Sequence, residues 1–173
     1  MPDSPDVERT PDGHYLVIDG RRWRASDPGI PDALRQELVD ELMAARRAVR
    51  TQGDEARPRV NDAKVALGER GRAWWEQPTE DESAERIAAT IRALLRKRDG
   101  SSICPSDAAR VVGGESWRER LDQVRAVAGE MAARGVVVVT KGEEQVTVKA
   151  PGPIRLRRGP GFDARSDQGS PHP

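Results

Sequence analysis

The sequence predicts an α+β fold that is mostly α: a small N-terminal hairpin with two helices, then a second unit of three helices and a hairpin. Three observations predict it. Asp19-Gly20 separates two extended runs, apolar residues recur at helical spacing over 34–49 and 87–95, and Pro and Gly cut residues 83–159 into three helices and a tight turn. At 173 residues the chain is long enough for one domain or two small ones.

The elements follow in order. Residues 1–12 are polar, with Pro and Asp, and are expected to be disordered, as is the Gly, Pro, Ser and Asp tail at 160–173. The first unit spans 13–76. Tyr15 to Ile18 and Arg21 to Arg24 flank Asp19-Gly20, whose two residues suit the positive φ that a two-residue hairpin turn demands. A helix starts near Pro31-Asp32 and places Leu34, Leu38, Leu42, Ala45 and Val49 on one face. Val39 and Met43 form a second apolar stripe, so this helix is expected between two partners, or with a face open to a protein partner or a second copy. A second helix should begin near Pro58 and end at Gly68 to Gly71.

Residues 77–82 read as a Pro-containing acidic linker, and 83–159 as the second unit. Its first helix, 83–97, aligns Ile87, Ile91, Leu94 and Leu95 and stops at Asp99-Gly100. The next runs from Pro105 to Gly113-Gly114. The third has a capping box, Ser116 with Glu119, and an apolar stripe of Trp117, Leu121, Val124, Ala128 and Met131 before Gly135. Residues 136–140 and 145–149 flank Lys141-Gly142-Glu143-Glu144 as a hairpin, and 154–158 supply a candidate third strand. Three helices followed by such a hairpin give the order of a winged helix-turn-helix, with the third helix as recognition helix and the hairpin as wing.

The longest purely aliphatic run is 136–139, far short of the roughly 20 apolar residues that a spanning helix needs. No secretory signal is read at the N-terminus, so a cytoplasmic location is expected. Lys and Arg balance Asp and Glu at 29 each, yet residues 1–81 carry −4 and residues 82–162 carry +5. The second unit is therefore the basic one.

In the second unit, Ile103-Cys104-Pro105-Ser106, Trp117-Arg118, Val124-Arg125, Lys141-Gly142 and Gly152-Pro153-Ile154-Arg155-Leu156-Arg157 resemble a bacterial family known as a domain of unknown function. The resemblance covers roughly 83–159, implies the winged-helix fold and brings no established activity and no catalytic residues. In the first unit, Asp19-Gly20-Arg21-Arg22-Trp23-Arg24, the 41–47 stretch and Gly68-Glu69-Arg70-Gly71 before Trp74-Trp75 resemble proteins labelled "biopolymer transporter Tol".

Two binding readings stand. For nucleic acid, Arg118 and Arg125, seven apart, share a face beside the core stripe of the third helix, with Arg110, Lys141, Arg155, Arg157 and Arg158 as candidate phosphate contacts. Against it, Asp122 is spaced to pair with Arg118, and Glu143 and Glu144 make the wing tip acidic. For a protein partner or self-association, the candidates are Val39, Met43, Trp74 and Trp75, the two tryptophans serving either to stack on a ligand or to pack the linker. Gly68-Glu69-Arg70-Gly71 matches a backbone-clamping RNA loop, but helix termination is the favoured reading.

No catalytic residues, metal ligands or cofactors are expected. His14 and His172 lack ligand-spaced neighbours, and Cys104, the single cysteine, sits before Pro105 as a small packing residue at a helix start. Phosphate-cradling glycine patterns are absent, so the expectation is a binding module and not an enzyme.

Overall fold

The computed structural model describes residues 7–163 and has the α+β, mostly helical architecture that the sequence predicts. β2 (Tyr15–Ile18) and β3 (Arg21–Arg24) pair antiparallel, with Tyr15 opposite Arg24 and Ile18 opposite Arg21. Asp19 at φ 51° and Gly20 at φ 76° form the turn, as expected. The expectation of disorder over 1–12 is corrected for its described part. β1 (Glu8–Arg9) adds a third strand, Glu8 opposite Val17 and Arg9 opposite Leu16. The Asp12 carboxylate accepts from the Thr10 hydroxyl and the His14 amide, and Gly13 N–H donates to Thr10, so polar residues that read as disordered close a tight turn. Residues 1–6 lie outside the described span.

α1 (Asp32–Gln52) buries Leu34, Leu38, Leu42 and Ala45 together with Glu41. A short 3₁₀ turn leads to α2 (Arg57–Ala66). α2 ends where Gly68 N–H donates to Val65 and Glu69 N–H to Lys64, with Gly68 at φ 81°. This pair of bonds is a left-handed helix stop, which accounts for the first glycine of Gly68-Glu69-Arg70-Gly71.

α3 (Glu80–Lys97) begins inside the stretch expected to be linker. The Thr79 hydroxyl accepts from the Glu82 amide and the Glu82 carboxylate from the Thr79 amide, a capping box hidden in the acidic run. α4 (Pro105–Gly113) starts at the expected proline, with Cys104 at the N-cap and the Asp107 carboxylate accepting from its amide. The expected capping box at Ser116 is not formed. Residues Gly114–Arg120 are 3₁₀, Ser116 has non-helical angles, and α5 spans Leu121–Ala133. Gly114, at φ 55°, lies against the Gly29 carbonyl, which pins the chain before an α-turn can start. α5 then ends at Gly135 with the same pair of bonds as α2.

A second antiparallel sheet has β4 (Val137–Lys141) between β5 (Glu144–Gln145) and β6 (Arg155–Arg158). The strand expected over 145–149 is thus reduced to two residues, and the third strand is formed. Ile103, before α4, bridges to Leu156 through reciprocal backbone hydrogen bonds. The disorder expected over 160–173 is also corrected in its described part: Phe162 is buried, with the Arg96 and Arg158 guanidiniums 5.5 and 4.9 Å from its ring centroid. Residues 164–173 lie outside the described span.

The two expected units share one apolar core. Leu34, Leu38 and Leu42 of α1 and Ala63 and Ala66 of α2 belong to the same cluster as Ile87, Ile91, Leu94, Val124, Val139 and Leu156. Ion pairs reinforce that junction. Asp62 on α2, 2% exposed, accepts from Arg92 at 2.8 Å and Arg96 at 2.6 Å, both on α3. Buried Glu41 accepts from Arg59, and Arg98 joins Glu37 of α1 to Asp107 of α4. The Glu37 hydrogen bond is the main reason that the Arg98 pKa is raised above its ordinary value.

Asp62→Ala leaves two partly buried guanidiniums without their carboxylate, and should lower stability by roughly 3 kcal/mol in urea denaturation. Asp54→Ala removes an exposed pair with Arg57 and should change it by less than about 0.5 kcal/mol.

Candidate functional site

The seven basic residues singled out for nucleic acid do not form one free patch. Arg125, on α5, turns into the loop after β5, where its guanidinium donates to the backbone carbonyls of Val148 (2.9 Å), Ala150 (3.3 Å) and Gly152 (2.8 Å). Lys141 Nζ donates to the Pro151 carbonyl of the same loop. Arg155 donates to the hydroxyl and the carbonyl of Ser102, and Arg158 caps the Leu95 carbonyl at the end of α3 while pairing with Asp99. Each of these four holds one chain segment onto another. A guanidinium has five donors and no acceptor, so orphan carbonyls of loops and helix ends are its natural partners.

Three residues remain outward. Arg110 and Arg118 lie 4.6 and 4.4 Å from the Trp117 ring centroid, and both are exposed. Arg157 is exposed on β6 opposite Val138. The seven-residue spacing of Arg118 and Arg125 does not put them on one helical face, because Arg118 belongs to the 3₁₀ segment. For the same reason no ion pair joins Arg118 to Asp122 among the described residues.

What α5 shows to the outside is Asp122, Ala126, Glu130 and Ala133. Its remaining surface is covered by the loop after β5: a Cβ at Gly129 would come within 3.1 Å of the Val148 side chain, so only glycine allows this approach without a shift. Glu143 and Glu144 are exposed at the hairpin tip, as the sequence suggests.

Beside α5 runs a broad groove of about 1340 Å³, bounded by α2, α3, α5 and the 161–163 segment. Ala84, Ala88, Val127, Met131 and Phe162 give it an apolar floor. The carboxylates of Asp81, Glu85, Glu130 and Asp163 line it and make no hydrogen bond or ion pair among the described residues, whereas the lining arginines 59, 92 and 96 are paired with buried carboxylates. Arg134 is the one lining cation without such a pair among the described residues. The rim therefore carries a surplus of unneutralised negative charge. Sequence reasoning missed it. Asp81 and Glu85 sit four apart on α3, a detectable spacing, but their meeting with Glu130 and Asp163 depends on how α3 and α5 pack.

The four interaction candidates are largely enclosed. Val39 packs against the core, and Met43 is half-buried on α1. Trp74 donates from its indole N–H to the Ala25 carbonyl at 2.9 Å, and Trp75 stacks on His14 at 3.8 Å between ring centroids. Both tryptophans thus fix the segment after α2 against the N-terminal sheet, the packing alternative weighed from sequence. Among the described residues the exposed large apolar side chains are instead Ile18 and Trp23. Cys104 is partly buried at its helix start, and among the described residues no group of three His, Cys, Asp or Glu is placed to hold a metal. No described helix is long and apolar enough to cross a membrane.

Arg125→Ala should release the loop over 146–152 and raise amide hydrogen exchange there at least tenfold, with α3 exchange unchanged; Arg125→Lys should restore only part of the protection, since one ammonium cannot reach three carbonyls.

No curated protein matches the chain. Residues 84–159 match the family described as "Protein of unknown function (DUF3253)".

Proposed function

We propose that the chain is a non-enzymatic protein-interaction module whose C-terminal part is built as a winged helix. The element order supports the fold: α3, the Ile103 bridge, α4, α5, β4 and β6, with Ile103 and β4 on either side of β6. The observation that carries the interaction reading is the outer surface of α5. Its exposed charges are Asp122 and Glu130, and its arginine is committed to the neighbouring loop. A helix entering a nucleic-acid groove approaches phosphates on both sides and needs cations beside its leading face. Here phosphate would meet carboxylates.

The groove next to α5 suits a different ligand. An apolar floor rimmed by Asp81, Glu85, Glu130 and Asp163 is complementary to a basic amphipathic helix of a partner protein. Binding such a segment removes apolar surface from water and neutralises the rim, without any bond being made or broken.

A synthetic Lys- and Leu-based amphipathic helix of about 15 residues should shift the amide NMR signals of α3 and α5, and Glu85→Lys with Glu130→Lys should weaken that binding at least tenfold. Duplex DNA supplies the opposing test. Arg110→Glu, Arg118→Glu and Arg157→Glu together should leave any low-salt duplex affinity within about twofold; a tenfold loss would sink the interaction reading in favour of a phosphate-contacting face around Trp117.

A further inference from the structure

The two exposed large apolar residues of the described chain, Ile18 at 44% and Trp23 at 43%, lie on one face of the β2–β3 hairpin, diagonal to each other in its register. In the β2–β3 register Leu16 is opposite Trp23 and Ile18 opposite Arg21, so these four side chains share one face of the hairpin, and β1 adds Arg9 opposite Leu16. Cations border the indole. The Arg21 guanidinium lies 5.0 Å and the Lys64 ammonium of α2 5.9 Å from the Trp23 ring centroid.

More positive charge stands behind Lys64. Its pKa is lowered first by burial and then by the charges of Arg70 and Arg46, with Glu69 acting in the opposite direction. Glu69 itself accepts a hydrogen bond from Ser26, and Arg70 donates to the amide oxygen of Asn61, so neither is bound to Lys64. The Arg46 guanidinium makes no hydrogen bond or ion pair among the described residues. The indole thus has Arg21 and Lys64 as its cationic neighbours, and Lys64 in turn feels the charges of Arg46 and Arg70. The net −4 of residues 1–81 gives no sign of this local pairing of cations with an aromatic ring.

Like charges crowded beside an exposed aromatic ring raise the free energy of the unliganded surface, and a polyanion with flat apolar units relieves both terms together. We propose that this hairpin face binds single-stranded nucleic acid, an unpaired base packing on Trp23 and Ile18 while Arg21 and Lys64 hold the phosphates. An unpaired strand fits because a base inside a duplex has no free face to offer. An anionic lipid surface fits less well: attachment to lipid grows with buried apolar area, and Ile18 and Trp23 are a small amount. The site is separate from α5 and from the acidic groove, so it does not rest on the protein-interaction reading.

The test is fluorescence anisotropy of the full chain with labelled oligo-dT and oligo-U of about 20 nucleotides at low salt. Micromolar affinity is expected, weakened about tenfold by Trp23→Ala, at least tenfold by Arg21→Glu with Lys64→Glu, and little changed by Trp23→Phe, which keeps a stacking ring on a strand that tolerates it. Glu85→Lys with Glu130→Lys, which disables the groove, should not weaken it. Absence of oligonucleotide binding at about 100 μM protein overturns the proposal. So does an affinity that Trp23→Ala leaves unchanged in a variant with wild-type circular dichroism. Capture by phosphatidylserine vesicles without oligonucleotide binding, lost in the same variants, would assign the surface to lipid and overturn it as well.

Discussion

Asp62 is the point on which the rest of the architecture depends. A carboxylate 2% exposed would be untenable on its own, and it is held because Arg92 and Arg96, one turn apart on α3, reach it from the same side. The pairing fixes the rotation of α2 about its axis and its height along α3. With α2 in place, Ala63 and Ala66 meet the apolar side of α3, and α1 closes over both with Leu38 and Leu42. Apolar contacts supply most of the cohesion and tolerate many offsets; the fork of two guanidiniums on one carboxylate selects among them.

Arginine serves as a tether throughout this chain. Arg24 donates to the carbonyls of Gly68 and Gly71, Arg86 to that of Ala66, Arg125 to three carbonyls after β5, Arg155 to Ser102 and Arg158 to Leu95. Burial is the main reason that the Arg86 pKa is lowered, opposed by its partner Asp27. Arg outnumbers Lys by 25 to 4, and this geometry gives the bias a use, since a planar fork spans two carbonyls where an ammonium would meet one.

Much of the fold was legible. The Asp19-Gly20 hairpin, the apolar stripe of α1, and the starts of α2 and α4 at Pro58 and Pro105 all rest on local rules with short range. What escaped depended on distance. Ser116 and Glu119 satisfy the capping pattern, yet contact with Gly29, 85 residues earlier, redirects the chain there. Phe162 sits in a tail whose composition reads as disordered, and it is buried beside Arg96 and Arg158, contacts that local composition cannot show. For the sites the shortfall was larger. Sequence shows which residues are charged, not which charges are already satisfied, so Arg125 and Arg155 ranked as ligand contacts while Glu85, Glu130 and Trp23 went unnoticed.

The matched segment at 84–159 begins one turn into α3 and omits Asp62, Glu37 and the leucines of α1. Excised at those limits, it would lose the Thr79 cap, leave Arg92, Arg96 and Arg98 without their α1 and α2 carboxylates, and bare the side of α3 that α1 and α2 cover. The boundary of sequence similarity therefore cuts through the shared apolar core. In this chain α1 and α2 are a permanent cover for that side of α3, and a shortened version would be expected to recruit a substitute cover, from another copy or another protein.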